Sequence, residues 1–166
     1  MSIAMQTICA SAPVDDWPWL TIELRCAVWA ESLRLVQTDD EDGAQQFTLE
    51  TGETVTFAPS PMGISRPDVT ARGSQDLTIQ LDNVTADALH LIDQAIAAEA
   101  IITVVFREYV ESNHNAPARG PFTMTVISAE STMRYVQCSA SFANFLDADF
   151  PPERITAARA PGLTYQ

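Results

Sequence analysis

Several residue groups in this chain are of types suited to chemistry, and most of them fail on spacing. The acidic run Asp39-Asp40-Glu41-Asp42-Gly43 invites a calcium reading. With Gly43 as the sixth residue of an EF-hand loop, Asp40 and Asp42 take ligand positions. Thr38 then falls at the first position and Leu49 at the twelfth, where a bidentate Glu is required, so a solvated acidic loop is the reading that remains. Gly63-Ile64-Ser65-Arg66-Pro67 has the first glycine and the serine of a nucleophile elbow but a proline where the second glycine belongs, which makes Ser65 a turn residue. His90 and His114 have no second histidine at ligand spacing and read as structural or exposed. Cys9, Cys26 and Cys138 form no CxxC pair for zinc or iron–sulfur, and their odd number leaves a free thiol, which favours assembly in a reducing compartment. The six glycines are too widely spread for GxGxxG or a P-loop. No cofactor and no metal are expected.

Carboxylates and indoles leave two further possibilities. Glu23 and Glu108 are candidates for a cell-wall hydrolase, with Arg107 as an orienter of Glu108, although a glycosidase needs two facing carboxylates that sequence does not identify. The plainer reading of Arg107 and Glu108 is ion pairing at a strand's end or at a subunit contact. Trp17, Trp19 and Trp29 are candidate stacking residues of a carbohydrate-binding module, but as neighbours of a strand they are better read as core or interface. Asn83-Val84-Thr85 matches a glycosylation sequon, but at a helix start it is better explained as a cap.

Composition bounds what must position these residues. The 166 residues are 46% hydrophobic, 8% aromatic and 19% charged, as for one globular domain with a sizeable core. Twenty-two acidic against nine basic residues give a formal charge of -13, which opposes a phosphate-neutralising nucleic-acid surface. The segment Met1 to Ala12 lacks the basic start of a secretory signal, and the longest apolar stretch, Ala95 to Phe106, is too short to span a bilayer. A soluble protein is expected.

Apolar and polar residues alternate along most of the chain. Leu20, Ile22, Leu24 and Cys26 share one face of a strand from Leu20 to Ala27. Leu33 and Leu35, Phe47 and Leu49, Val55 and Phe57, and Leu77, Ile79 and Leu81 mark four more strands. The third and fourth form a hairpin through Glu50-Thr51-Gly52-Glu53, with Gly52 supplying positive φ. A helix from about Thr85 to Ala98, capped by Asn83 or Thr85, presents Leu89, Ile92 and Ile96 with Ala88, Leu91 and Ala95 as a stripe. Ile101 to Val110 is apolar on both faces and reads as a central strand covered on one side by that helix. Phe122 to Ser128 and Thr132 to Ala140 form a second hairpin through Ala129-Glu130-Ser131. Gln37 to Gln46 and Ala58 to Ser74 read as loops, and the tail from Phe150 as an extended, aromatic-anchored segment of a single domain spanning residues 1–166.

Four stretches together resemble an uncharacterised-domain family of tailed-phage proteins. They are Trp17 to Leu24, Leu77 to Val84, Val105 to Tyr109, and Phe150-Pro151 followed by Pro161-Gly162-Leu163. The resemblance spans about residues 17 to 163, and it departs before Trp17 and at Ala160, where an aromatic residue more commonly precedes the proline. It implies a structural component of a long-tailed phage tail tip or baseplate, encoded near the distal tail and hub proteins, with no catalytic residues. The periodicity reads as α+β and mainly β, with about eight strands and one helix, and the resemblance implies a tail-tube-like β-sandwich or barrel with one flanking helix.

These readings converge on a non-enzymatic virion protein, assembled in the host cytoplasm. It would form a homo-trimeric or homo-hexameric ring and contact distal tail, hub and tape-measure proteins, with no specific nucleic-acid binding and no membrane insertion. Pro59, Pro61, Met62, Ile64, Phe150, Pro151, Pro161 and Leu163 are the expected interaction residues, because prolines hold these segments extended and Phe57, Met62, Ile64 and Leu163 need cover. Asp39, Asp40, Glu41 and Asp42 are candidate lumen-facing acids that would repel DNA phosphates. The rivals are a host-surface carbohydrate-binding module and, behind it, the hydrolase.

Overall fold

The doubly apolar stretch after the long helix forms the middle of the sheet. In the computed structural model, which describes residues 3–11, 16–38, 43–65, 76–82, 86–131 and 135–142, strand β7 (Ile102–Val110) is buried along nearly its whole length. It lies fifth in a nine-stranded sheet ordered β3-β4-β2-β1-β7-β8-β9-β6-β5. The other strands are β1 (Pro18–Cys26), β2 (Leu33–Gln37), β3 (Gln45–Thr48), β4 (Thr54–Ser60), β5 (Met62–Ser65), β6 (Asp76–Asp82), β8 (Arg119–Ser131) and β9 (Tyr135–Ser141). Helices α1 (Ile3–Ser11) and α2 (Ala86–Ala97) complete the described elements. The architecture is α+β and mainly β, as expected, but the sheet is open and not a closed barrel.

The sheet curls because its ends are tied together. β4 pairs in parallel with β2 near one end, β5 pairs with β6 at the other edge, and Pro61 alone joins β4 to β5. Proline disrupts a ladder by lacking an N–H, so the chain turns a corner there instead of extending one strand. The curl brings Ile22, Leu24 and Leu35 of β1 and β2 into one core with Met62, Leu77, Ile79 and Leu81 of β5 and β6. Val104 and Phe106 of β7 and Ala95 of α2 lie in the same cluster.

The register assigns the two faces. Ile22 opposes Phe106 and Leu24 opposes Val104 on the inner face, while Trp19 opposes Tyr109 and Thr21 opposes Arg107 on the outer one. The β3–β4 hairpin folds over this outer face, placing Phe47, Leu49, Val55 and Phe57 on Trp19, Val36 and Tyr109. Phe47 and Phe57 are fully buried, and each such burial contributes about 1.5–3 kcal/mol. The expected hairpin is present, with Gly52 at φ 83° in its turn, and its register sets Phe47 opposite Val55.

Four expectations are corrected. Among the described residues the strands number nine, close to the eight expected, and a second helix, α1, stands beside the one expected. Residues read as a loop in Ala58 to Ser74 include the end of β4 and all of β5, so Ser65 is a strand residue paired with Thr78. Ala129-Glu130-Ser131 belongs to β8 and not to a turn. In α2, Ile92 and Ala95 face the core but Ile96 is 56% exposed, so the buried stripe is narrower than the periodicity suggests. Thr85 and Asn83 lie outside the described residues. The start of the chain forms α1, whose Met5 and Ile8 pack on Val110 and Ala118.

Candidate functional site

Trp17-Pro18-Trp19 enters β1 at the end of the sheet where β7 leaves it. Alternation sends Trp19 onto the outer face, where it is buried, while Trp17, just before the strand, stays 47% exposed. The two indole rings lie 6.2 Å apart, inclined at 57°. Pro18 pairs with Val110, and the Glu111 amide donates to the Trp17 carbonyl at 3.1 Å, which brings the Glu111 side chain beside the indoles. Trp19 Nε1 donates to that carboxylate and fixes its orientation. His114 also approaches Glu111, at 3.6 Å, and its ring lies 4.7 Å from Phe47.

The β4–β5 corner supplies the opposite wall. Gln37, at the end of β2, donates from Nε2 to the Met62 carbonyl at 2.7 Å, stitching the two ends of the sheet across the corner. Pro61, Met62 and Gly63 face the indoles, and Gln37, Thr38 and Gln45 contribute the polar side. Together these residues surround a cleft of about 770 Å³. Its described lining combines an aromatic plate, amides and one carboxylate, with no cationic side chain. Such a surface suits binding of an uncharged polar ligand by stacking and hydrogen bonding.

A second cluster lies on the outer face between β1, β7 and the β3–β4 turn. Arg107, 2% exposed, donates from Nε and Nη2 to Glu50 at 2.6 and 3.2 Å and from Nη1 to Glu23 at 3.0 Å. Glu23, 1% exposed, also accepts from Arg25 at 2.7 Å and Arg34 at 3.3 Å. Burial alone would raise the Glu23 carboxyl, but Arg25 and Arg107 outweigh it and hold it below the usual carboxylate range. For Glu50, too, burial acts upward, and the hydrogen bonds from Arg107 reverse the direction. The Arg107 guanidinium, which burial alone would shift down, is raised by Glu50 and Glu23. Tyr109, beside it, is pushed up to about 12 by burial, and its hydroxyl donates to the Thr48 carbonyl at 2.9 Å.

The residues singled out from sequence therefore divide. Glu108 and Arg107 are adjacent on a strand and point to opposite faces, so they are not an acid and its orienter. Glu108 is fully buried and meets Arg119 at 3.5 Å. Neither it nor Glu23 stands open to a polymeric substrate. Trp29 is in the inner core with its Nε1 donating to the Leu91 carbonyl, and Trp19 is covered by the hairpin, which leaves Trp17 as the exposed indole of the three. Pro61 and Met62 line the cleft, Pro59 pairs with Val36, and Ile64 packs against the inner core. Phe57 and Met62 find their cover within the chain, not across a subunit boundary. His90 is exposed on α2. Asp39, Asp40, Glu41, Asp42, Phe150, Pro151, Pro161 and Leu163 lie outside the described residues.

Gln37, Gln45 and Glu111 escaped the reading of the sequence because they come from separate segments that meet only through long-range strand pairing. The one local signal was that Glu111 directly follows the central strand. No helix among the described residues is long and apolar enough to cross a membrane. A search of curated proteins finds no match. A family model does match residues 4–155, nearly the whole chain, and the chain therefore belongs to the family described as a domain of unknown function, DUF1833.

Proposed function

We propose that this protein is a structural component of a long-tailed bacteriophage tail tip or baseplate, assembling as a homo-trimeric or homo-hexameric ring near the distal tail and hub proteins. The observation that carries the reading is the open sheet with two unlike edges. Among the described residues β3 is laddered only to β4, and β5 only to β6. An edge strand presents backbone donors and acceptors that another chain can continue, here those other than the Thr48 amide, which donates to the His114 carbonyl, and the Met62 carbonyl, which accepts from Gln37. Two different edges on one chain favour a head-to-tail contact, and such a contact closes into a ring when its rotation allows. The resemblance of Trp17 to Leu24, Leu77 to Val84 and Val105 to Tyr109 to tailed-phage proteins supports the same reading. The buried, arginine-bound state of Glu23 counts against the hydrolase alternative.

The test is mass spectrometry of purified tails together with native mass measurement of the isolated chain. Tail particles should contain the protein, and deletion of Phe150 to Gln166 should give a soluble chain that no longer enters them. A strictly monomeric chain that is absent from tails would overturn the reading. Replacing Asp39, Asp40, Glu41 and Asp42 by their amides should leave assembly intact and reduce DNA ejection if these acids face the lumen, and unchanged ejection would remove the lumen role.

A further inference from the structure

We propose that the cleft between Trp17 and the β4–β5 corner is a binding site for an uncharged saccharide, a property that stands or falls independently of the tail-tip reading. Trp17 keeps 47% of its surface exposed, although its neighbour Trp19 shows that this end of the sheet can bury an indole. The exposed ring is thus available as a flat plate for the C–H face of a pyranose, with Trp19 beside it at 6.2 Å and inclined at 57°.

Polar groups stand around that plate with their orientations already set. The Glu111 carboxylate is held by Trp19 Nε1, and the Gln37 amide is held by the Met62 carbonyl. Sugar hydroxyls can donate to the carboxylate and exchange hydrogen bonds with the amide, so binding would order few new rotamers. The volume of about 770 Å³ falls in the range of small-ligand sites and holds a mono- or disaccharide. Charge narrows the class further. Among the described residues the lining carries Glu111 and no cation, on a chain of net charge -13, which disfavours phosphorylated or sialylated sugars.

Tryptophan fluorescence and saturation-transfer NMR on the full chain provide the test, with maltotetraose, cellotetraose and chitotetraose as neutral probes and sialyllactose as the anionic one. At least one neutral probe should bind with a Kd of about 1 mM, and sialyllactose should bind more weakly. Trp17→Ala should weaken that binding by about tenfold while Tm stays unchanged, because the residue contributes little to the core. Glu111→Gln should weaken it by a smaller factor, and Ile127→Ser, an exposed position on β8, should leave it unaltered. Silence with all three neutral probes at about 20 mM would overturn the proposal. So would preferential binding of sialyllactose, or neutral-sugar binding that is indifferent to Trp17→Ala.

Discussion

Arg107→Met tests whether the buried ion cluster locks the β3–β4 hairpin onto the sheet. The substitution keeps much of the side chain's length and removes the cation between Glu23 and Glu50. Breaking one partner of a buried pair costs about 3–5 kcal/mol, chiefly because a charge is left without compensation. Here Glu23 retains Arg25 and Arg34, and Glu50 is about one-third exposed and can rehydrate. The expected loss is therefore at the lower end, about 3 kcal/mol, or about 6–12 °C in Tm for a domain of this size. Urea unfolding at about pH 7 measures it, and a loss below about 0.5 kcal/mol would refute the locking role. The mechanism also has a signature in pH. Glu23 and Glu50 have folded-state pKa values below the unfolded carboxylate value, so their contribution is present above about pH 5 and is lost as pH falls through the folded values. Arg107→Met should flatten that acid limb. Adding Glu23→Leu and Glu50→Met should recover most of the lost stability, since an apolar set has no charge to desolvate.

Three further outcomes follow from local geometry. Gly120→Ala should destabilise by about 1–3 kcal/mol in urea titration, because Gly120 has φ 99° and an added Cβ would stand 2.8 Å from the Phe106 carbonyl oxygen. Tyr109→Phe should cost about 1–3 kcal/mol by the same measurement, since it removes the donor to the Thr48 carbonyl. Cys138 is buried, and burial pushes its thiol up to about 11, so iodoacetamide at about pH 8 should leave it unmodified in the native protein and label it after denaturation. Labelling of native Cys138 at the rate of an unfolded thiol would contradict its burial.

What could be read from the sequence was whatever repeats locally. Alternation in Leu20 to Cys26 and Leu77 to Leu81 marks which side chains enter the core, and the doubly apolar Ile102–Val110 marks the sheet's centre. Gly52 marked the turn of the β3–β4 hairpin, though not its register. Curling was not legible, because it depends on Pro61 carrying the chain from one end of the sheet to the other, and the run Pro59-Ser60-Pro61 reads equally well as a loop. Ion pairing of Glu23 with Arg107 was hidden for a related reason: only the antiparallel register of β1 with β7 makes them neighbours. In the cleft, Trp17 was recognisable by type, whereas Gln37 and Glu111 gain meaning only from the strand ends they occupy.

Pairing of β1 with β7 also shapes how the polypeptide comes off the ribosome. The strand at Pro18–Cys26 meets its main partner only after Ile102–Val110 has been made, and β2 through α2 are synthesised in between. At about 5–20 residues per second the nascent chain waits several seconds or more with a half-built, apolar-faced strand. Ribosome stalling before Val110 should therefore leave a product that is protease-sensitive and prone to aggregation, and release beyond Ser141 should be required before native protection develops.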